Sequence, residues 1–530
     1  MADLIHELII DSAKSDGDRP ALLFRDSSLS YSQLLDMIQR VSNGLLTAGV
    51  SAGERVAVYL PKQLETVATL FGASFAGASF VPVNPALKPR QVTYILNHCQ
   101  TGVLVTSQQR LEQLADQVTD WPELHTIVVI DEAVSDAVVG QIRRAPWIRL
   151  DTWNGLLSAP WKQPHRRIDG DMVAILYTSG STGNPKGVVL SHRNMMAGAR
   201  SVSQYLENTR EDRVLAVLPL SFDAGLSQLT TAFCVGASVT LMDYLLPRDV
   251  LKALVHYRIT GLGAVPSLWN QLVQLEWPPE IVGTLRYITN TGGAMPVATT
   301  TALQQRLPRT SIYLMYGLTE AFRSTYLPPD QVSIRPRSIG KAIPNAEILV
   351  INEAGELCGP NEPGELVHRG ALVALGYWND PEKTAERFKP SPVQDNNLPV
   401  PELAVWSGDQ VMLDEDGYLY FVNRKDDMIK TSGYRVSPTE IEEVAYSSGL
   451  VAGAAAMGVP HPQLGQTILL IVTPVEGSTA EHETLRQELI DYCRRELPGF
   501  MQPAQIVVRD SMPHNQNGKI DRRALAKEHC

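Results

Sequence analysis

Cysteine is scarce in this sequence, and its placement is informative. The 530 residues contain five cysteines, at positions 99, 234, 358, 493 and 530, with no Cys-x-x-Cys pair among them. Zinc sites and disulfide frameworks usually show paired or regularly spaced cysteines. The sequence therefore predicts neither kind of site, and it favours a cytoplasmic location, where thiols stay reduced.

An excess of positive charge is also missing. The chain has 57 acidic and 46 basic side chains, which gives a formal net charge of -11. A protein that binds nucleic acid through the phosphate backbone normally carries the opposite balance. We therefore predict no nucleic-acid partner.

No uninterrupted run of apolar residues is long enough to cross a bilayer. Residues 66–87 carry no charge, but Gly72, Gly77, Pro82 and Pro85 divide them, which favours a buried helix followed by a strand. The first residues form an acidic amphipathic pattern without the basic start of a signal peptide. The expectation is a soluble protein with no transmembrane segment and no export signal.

The remaining pattern is typical of an α/β fold. Short apolar runs at residues 55–60, 102–106, 126–130 and 173–178 recur between helix-like segments. The proline-rich residues 389–401 are predicted to be a surface loop. A change to alternating and then charged residues at 417–436 predicts a domain boundary, which divides the chain into a large domain, 1–425, and a small one, 426–530.

The strongest local signal is the segment from Ala174 to Ser191, which reads AILYTSGSTGNPKGVVLS. A strand leads into a loop whose amides and hydroxyls can surround phosphate oxygens, with Lys186 as an added cation. It is not a Walker loop, because Pro185 precedes the lysine and no Ser or Thr follows it. A short glycine-rich stretch is more often a flexible turn, but the length of this match favours phosphate binding. The predicted nucleotide-binding residues here are Thr178, Ser179, Gly180, Ser181, Thr182 and Gly183.

This segment resembles the matching loop of the adenylate-forming superfamily, which includes acyl-CoA synthetases, luciferases and the adenylation domains of peptide synthetases. The resemblance covers nearly the whole chain, and the general run of the sequence is most similar to acyl-CoA ligases associated with exosortase A systems. It implies an adenylate-forming domain of layered sheets and helices, followed by a small, mobile α+β domain. It also implies a ligase that uses ATP and Mg²⁺ to turn a carboxylate into an acyl-adenylate and then passes the acyl group to a thiol.

Two further blocks resemble the family's adenine and phosphate contacts. In the block from Tyr316 to Glu320, the resemblance implies that Tyr316 packs on adenine, Thr319 contacts the α-phosphate and Glu320 holds Mg²⁺. By themselves these residues would more often form a capped helix start. The small residues Gly292, Gly293 and Ala294 resemble the segment that lets the backbone approach the nucleotide.

The ribose contacts are implied in the same way. Asp409, in the block Trp-Ser-Gly-Asp, matches the family aspartate that accepts both ribose hydroxyls, although a turn aspartate before a strand is the simpler interpretation. Arg424 matches a second ribose contact, although Asn423 stands where the family has glycine.

Three residues in the C-terminal part complete the resemblance. Asp426 matches the hinge about which the small domain rotates, although it also fits a solvated charge run. Gly433 matches the hairpin that approaches the pantetheine arm in the thioester-forming state. Lys519 matches the lysine that enters the site and stabilises the adenylation transition state. An exposed tail lysine is the simpler interpretation, but the block from Asn517 to Asp521 is specific.

The acid-binding pocket is the least determined part. Phe222 occupies the position of the family's aromatic gate, and Asp223 follows it, where members that activate amino acids use an aspartate to pair with the α-ammonium group. Simple fatty-acyl members have no use for a buried carboxylate there. A small, polar pocket favours a short or polar acid. Its other predicted lining residues are Ala224, Ser227, Thr289, Thr291, Met315, Arg323 and Ser324.

Two questions stay open at this point. Arg323 either binds a second carboxylate on the substrate or neutralises Asp223 within the protein. The thiol acceptor is expected to be CoA, with the phosphopantetheine of a separate carrier protein as the alternative. A chain that activates amino acids for such a carrier protein is the alternative function, and a non-catalytic binding protein with the same fold is a remote one.

Overall fold

The computed structural model describes most of the chain. The described residues are 2–87, 89–178, 185–395, 397–424, 429–431, 434–436, 438–461, 465–475, 482–497, 499–516 and 518–529. Among them, no helix is long and apolar enough to cross a membrane.

Helices are distributed along the whole chain. In chain order they are α1 (Glu7–Asp16), α2 (Tyr31–Thr47), α3 (Leu64–Ala76), α4 (Pro89–His98), α5 (Gln108–Leu114), α6 (Asp136–Ile142), α7 (Trp153–Leu157), α8 (His192–Tyr205), α9 (Asp223–Val235), α10 (Pro247–His256), α11 (Pro266–Leu272), α12 (Pro279–Thr284), α13 (Val297–Arg306), α14 (Pro381–Arg387), α15 (Pro438–Ser447), α16 (His482–Glu496) and α17 (Arg522–His529). Short 3-10 helices cover Ala115–Asp120, Thr319–Ala321, Pro329–Gln331 and Gly499–Met501.

Strands of the first half precede or separate these helices. They are β1 (Pro20–Phe24), β2 (Ser27–Ser30), β3 (Arg55–Tyr59), β4 (Ser79–Pro82), β5 (Thr101–Thr106), β6 (Thr126–Val129), β7 (Arg149–Thr152), β8 (Met172–Thr178), β9 (Lys186–Ser191), β10 (Arg213–Ala216), β11 (Ser238–Leu241), β12 (Gly261–Ala264) and β13 (Tyr287–Asn290).

Strands of the second half are mostly antiparallel. They are β14 (Ser311–Tyr316), β15 (Thr325–Leu327), β16 (Ser338–Ala342), β17 (Ala346–Ile351), β18 (Gly364–Gly370), β19 (Gly376–Tyr377), β20 (Phe388–Pro390), β21 (Leu403–Leu413), β22 (Leu419–Arg424), β23 (Ile429–Thr431), β24 (Tyr434–Val436), β25 (Val451–His461), β26 (Gly465–Pro474) and β27 (Gln505–Val508).

The strands form three sheets. A 14-stranded sheet runs β17-β18-β21-β22-β16-β15-β14-β13-β12-β10-β11-β1-β2, with β20 added beside β21, and an eight-stranded sheet runs β19-β9-β8-β4-β3-β5-β6-β7. A five-stranded sheet of β23 to β27 belongs to the C-terminal part. The α/β class and the separate C-terminal domain are therefore confirmed, while the predicted boundary between 425 and 426 falls outside the described residues and stays a prediction.

Local sequence explains why these elements begin and end where they do. Ser30 and Ser191 cap α2 and α8, each accepting a hydrogen bond from the backbone of the third helical residue. The strand β5 is buried along its whole length, as expected for a central parallel strand packed on both faces. The predicted strands at 55–60, 102–106, 126–130 and 173–178 correspond to β3, β5, β6 and β8.

One expectation needs correction, and one alternative interpretation is excluded. The stretch at 389–401 is not entirely loop, because Lys389 and Pro390 belong to β20, which pairs with β21. Asp409 is not a turn residue before a strand, because it lies inside the 11-residue strand β21. Pairing with neighbouring strands holds both segments in the sheet. The local sequence does not show such pairing, because it depends on residues distant in the chain.

One buried ion pair joins the strands that carry the site. Asp212, 3% exposed, accepts hydrogen bonds from Arg286 (2.8 Å and 3.1 Å), from Thr260 (2.7 Å) and from the amide of Thr209 (2.9 Å). Burial alone would raise the pKa of this carboxyl, but these donors outweigh it and lower the pKa below its usual value. The pair ties the start of β10 to the start of β13.

We expect Asp212→Ala to destabilise the protein by about 3 kcal/mol, because Arg286, Thr260, the Thr209 amide and the Asn208 side-chain amide lose their acceptor. The value lies at the low end for a buried pair, since the Arg286 side chain keeps 36% of its exposure. The measurement is the midpoint of urea unfolding. The control is Asp36→Ala, which removes an exposed pair with Arg40 and should cost less than about 0.5 kcal/mol. Equal shifts for the two variants would contradict this account.

Candidate active site

The site lies where several parallel strands end. The strands β10, β12, β13 and β14 run parallel to one another, so their carboxyl ends meet at one edge of the sheet. Ligands of open α/β sheets bind at such an edge. The segments that follow these strands carry many of the predicted site residues, including Asp223 after β10, Thr291 after β13 and Thr319 after β14.

The acid-pocket aspartate stands at the start of a helix. Asp223 is the first residue of α9, follows the extended residue Phe222, and is partly exposed. Burial raises the pKa of its carboxyl above the ordinary 3.8, while the Arg323 guanidinium, the Ala224 amide and the Lys519 ammonium partly offset this effect. Glu320 acts in the opposite direction. The charged groups of the predicted acid pocket and of the predicted catalytic set are thus close enough to influence one another.

Lys519 enters this region from the C-terminal domain. Its Cε lies 3.5 Å from where a Cβ on Gly292 would stand, and Gly292 has a φ of +80°. A side chain at residue 292 would therefore be strained and would crowd the lysine. Asn515 closes the turn that carries Lys519. Its side-chain oxygen accepts a hydrogen bond from the Lys519 amide, and its backbone amide donates one to the Lys519 carbonyl.

Contacts between the two domains hold that turn in place. The Asn84 amide group donates to the Gln516 carbonyl (3.2 Å), and the Ser267 hydroxyl donates to the Gly518 carbonyl (3.2 Å). At a second point the Val297 amide donates to the Glu443 carboxylate (2.6 Å). The described arrangement therefore has the small domain docked with Lys519 toward the N-terminal domain.

The predicted magnesium ligand is fixed by a tyrosine that the sequence analysis missed. The Tyr377 hydroxyl donates to Glu320 Oε1 (2.6 Å), and the Lys186 ammonium lies over the Tyr377 ring, 5.3 Å from its centre. Tyr377 lies on β19, which pairs with β9 and so places it beside Lys186. Its sequence context, Gly-Tyr-Trp, carries no charge pattern that indicates this position.

A group of cations surrounds Lys186. Burial lowers the pKa of Lys186, and so do the neighbouring charges of Lys383 and Arg387, while Glu320 and Asp380 partly offset them. The charges of Lys383 and Arg387 next to Lys186 make this a strongly positive region, which favours a polyanion such as a triphosphate. The local sequence indicates only Lys186, since Lys383 and Arg387 lie about 200 residues further along the chain.

The predicted adenine and ribose residues are in contact. The Tyr316 hydroxyl donates to Asp409 Oδ2 (2.5 Å), and Asp409 is 4% exposed. Asp409 lies opposite Arg424 in the β21–β22 pair, although the Arg424 side chain lies outside the described residues. This brings the two blocks to one place although 93 residues separate them in the chain.

The other predicted acid-pocket residues are mostly buried and engaged within the protein. Ser227 bonds Thr231 (3.3 Å), Ser324 bonds His368 (2.9 Å), and the Met315 sulfur accepts from the Tyr205 hydroxyl (3.5 Å). The Thr289 carbonyl accepts from the Trp269 indole (3.3 Å). The predicted residues Ser179, Gly180, Ser181, Thr182, Gly183, Asp426 and Gly433 lie outside the described residues.

The chemistry of Glu320 fits a magnesium ion. A carboxylate is a hard oxygen donor, and Mg²⁺ is commonly bound by one or two carboxylates together with water and phosphate oxygens. Among the described residues no group of three or more His, Cys, Asp or Glu side chains forms a metal cage. A site of this kind depends on the nucleotide for its remaining ligands.

Family models match both parts of the chain. The model described as AMP-binding enzyme matches residues 10–378, and the model described as AMP-binding enzyme C-terminal domain matches residues 440–519. The chain belongs to the AMP-binding enzyme family. It is an AMP-forming, adenylating acid–thiol ligase, as the sequence analysis predicted.

Relatives of this AMP-binding enzyme have two kinds of acceptor in their names. The chain is 33% identical to an L-proline–L-prolyl-carrier-protein ligase of Streptomyces coelicolor, with 97% of the chain and 94% of that protein covered. It is 29% identical to a long-chain-fatty-acid–CoA ligase of Salmonella typhimurium, with 98% and 94% covered. Its fold matches the crystal structure of an anthranilate CoA ligase in complex with anthranoyl-AMP at a TM-score of 0.86 and 25% identity, over 99% of this chain and 97% of that one.

We expect Lys519→Ala to slow adenylation roughly 100- to 1,000-fold, the effect typical of losing one charged contact to a transition state. Thioester formation from a supplied acyl-adenylate should be much less affected. The two steps are measured separately, by pyrophosphate release and by single-turnover thioester formation. Lys527→Ala, which changes an exposed lysine of α17, is the matched control. An equal loss in both steps would refute the assigned role.

Proposed function

We propose that this enzyme activates an amino acid, that is, a small carboxylic acid that also carries an ammonium group. It then transfers the aminoacyl group to a phosphopantetheine thiol. One observation carries the proposal. Asp223 presents a carboxylate near Lys519. Among the described residues, no cationic nitrogen lies within 4.0 Å of that carboxylate, the distance that defines an ion pair. A carboxylate that is desolvated without a cation is unfavourable, and a substrate ammonium removes that cost.

Each residue then has a physical task in the proposal. Asp223 orients the substrate through its ammonium, so that the reacting carboxylate points toward Lys519. Lys519 stabilises the negative charge that builds on oxygen as the phosphorus becomes five-coordinate. Lys186, with Lys383 and Arg387, holds the phosphates, while Asp409 and Tyr316 hold ribose and adenine.

Magnesium has a defined place in this proposal. Glu320 would hold it, with its carboxylate fixed by Tyr377, and Thr319 lies beside Glu320 at the α-phosphate. Bound there, the ion would neutralise phosphate charge and so favour attack at phosphorus. The remaining work of the chain is positioning and exclusion of water, followed by a rotation of the small domain for the second step.

The acceptor and the location remain finer parts of the proposal. CoA is the first candidate and a carrier protein the second; similarity supports both, because relatives of each kind cover nearly the whole chain. The segment predicted to approach the thiol, with Gly433, lies outside the described residues. A cytoplasmic location and membership of the exosortase A-associated branch also stay predictions.

The test of the proposal is ATP-dependent pyrophosphate release with a panel of amino acids, short hydroxy acids and fatty acids. We expect turnover with an amino acid and a roughly 30- to 5,000-fold loss in Asp223→Asn, since removing one partner of a buried charge pair typically costs about 2–5 kcal/mol. Asp120→Asn, at an exposed position of a 3-10 helix, should leave the rate unchanged. Turnover of acids without nitrogen, undiminished in Asp223→Asn, would show that Asp223 does not bind an ammonium.

The raised pKa of Asp223 adds a pH dependence. The ionised carboxylate binds an ammonium, and the protonated form does not, so kcat/KM for the amino acid should fall as the pH decreases through the raised pKa, at a pH above the ordinary 3.8. The measurement is a pH profile of kcat/KM in the wild type and in Asp223→Asn. A limb of the profile that disappears in the variant supports the assignment, and one that persists unchanged excludes Asp223 as its source.

A further inference from the structure

A buried arginine in the acid pocket has incomplete hydrogen bonding. Arg323 is 5% exposed, and its Nη1 donates to the Thr291 hydroxyl (2.8 Å). Its Nε is buried and has no hydrogen-bond partner among the residues that the structure describes. Buried guanidinium groups are normally paired with acceptors, because leaving a charged donor unsatisfied costs a large part of its hydration free energy.

The protein does not supply the missing anion. In the part of the chain that the structure describes, no carboxylate lies within 4.0 Å of the Arg323 guanidinium. Asp223 is close enough to be influenced by the arginine charge, but through space rather than through a hydrogen bond. The two charges therefore share one pocket without neutralising each other by contact, which argues against internal pairing of Arg323 with Asp223.

The backbone holds Arg323 in this position at a conformational cost. Phe322, which precedes it, has a φ of +55°, a region that bulky residues rarely adopt, and its side chain is fully buried. Its ring occupies the space that a side chain at Gly198 would need. Gly317 allows a similar approach, since a Cβ there would stand 3.2 Å from the Arg323 Cα. Such strain persists where the surrounding packing requires it, and it commonly marks a functional position.

A stacked pair of tyrosine side chains lies beside the arginine. Tyr205 is buried, it stacks on Tyr326 at a ring distance of 4.1 Å, and its hydroxyl donates to the Met315 sulfur. Burial raises the pKa of the Tyr205 phenol, and the Arg323 charge partly offsets this rise, so the two side chains are near neighbours. This packed aromatic pair borders the pocket beside Arg323 and favours a short substrate side chain.

We propose that Arg323 binds a second carboxylate, on the side chain of the substrate, and that the acid activated is a short dicarboxylic amino acid. The inference rests on the proposed function and deepens it. Apart from Glu320, the predicted magnesium ligand, the pocket presents one negative charge, Asp223, and two positive charges, Arg323 and Lys519. A dicarboxylic amino acid presents one ammonium and two carboxylates, so every charge finds a partner of opposite sign.

The geometry of the guanidinium suits this partner. Arginine binds a carboxylate through two parallel N–H donors, which fixes its orientation as well as its charge. Thr291 occupies Nη1, and the unpaired Nε is a donor still available to the substrate. A neutral amide of the same size has one acceptor oxygen and no charge, so it would leave the guanidinium charge unpaired and could not accept two parallel hydrogen bonds. Sites built for a charged partner discriminate strongly against such analogues.

The experiment compares each dicarboxylic amino acid with its own amide. Pyrophosphate release is measured for glutamate against glutamine and for aspartate against asparagine, and the ratio of the two kcat/KM values is taken. We expect the better pair to favour the acid at least about 100-fold in the wild type. In Arg323→Gln this ratio should fall to near or below one. In Arg323→Lys, which retains the charge but not the two parallel N–H donors, the ratio should be intermediate.

Partial misfolding of a variant does not change this ratio, because it lowers the apparent kcat/KM for both substrates by the same factor. Arg40→Gln, at an exposed position of α2, is the matched control and should keep the wild-type ratio. A wild type that favours the amide or another neutral amino acid overturns this inference and leaves the proposed function standing, as does an unchanged ratio in Arg323→Gln. Failure of every amino acid, with turnover of acids lacking nitrogen, overturns the proposed function itself.

Discussion

The placement of one lysine across the boundary between two domains is the contact on which the rest of the site depends. Lys519 belongs to a turn of the C-terminal domain, yet its side chain passes beside Gly292 of the N-terminal domain. Asn84 and Ser267 hold that turn by donating hydrogen bonds to its backbone carbonyls. A cation delivered in this way can be withdrawn by a rigid-body rotation, which suits an enzyme whose second step needs a different group at the same place.

Charges in the predicted acid pocket are arranged differently from those of a structural ion pair. Asp212 and Arg286 show what a structural pair looks like in this protein: direct contact, several added hydrogen bonds and a lowered carboxyl pKa. Asp223 and Arg323 show the opposite, with no contact between them, a raised carboxyl pKa and an unpaired Nε. Binding sites commonly retain such unsatisfied charge because the substrate completes it.

Local sequence is the basis for most of the predicted nucleotide site. The blocks around Lys186, Tyr316, Asp409 and Lys519 are contiguous, and each block has a composition that fits one chemical task. Tyr377 and the cations Lys383 and Arg387 could not be foreseen in this way. They act on Lys186 and Glu320 through the pairing of β19 with β9 and through the approach of α14, and neither contact has a counterpart in the local sequence.

The sequence by itself determined the α/β class, the family and the order of the blocks along the chain, because strand periodicity and glycine-rich loops are local properties. Tertiary structure decided which charged side chains meet and which do not. Whether Arg323 neutralises Asp223 was open in the sequence, since both lie in the same predicted pocket. Phe322, which has a positive φ and packs against Gly198, directly precedes Arg323, whose guanidinium contacts Thr291 and not the aspartate. This arrangement depends on packing between residues more than a hundred positions apart.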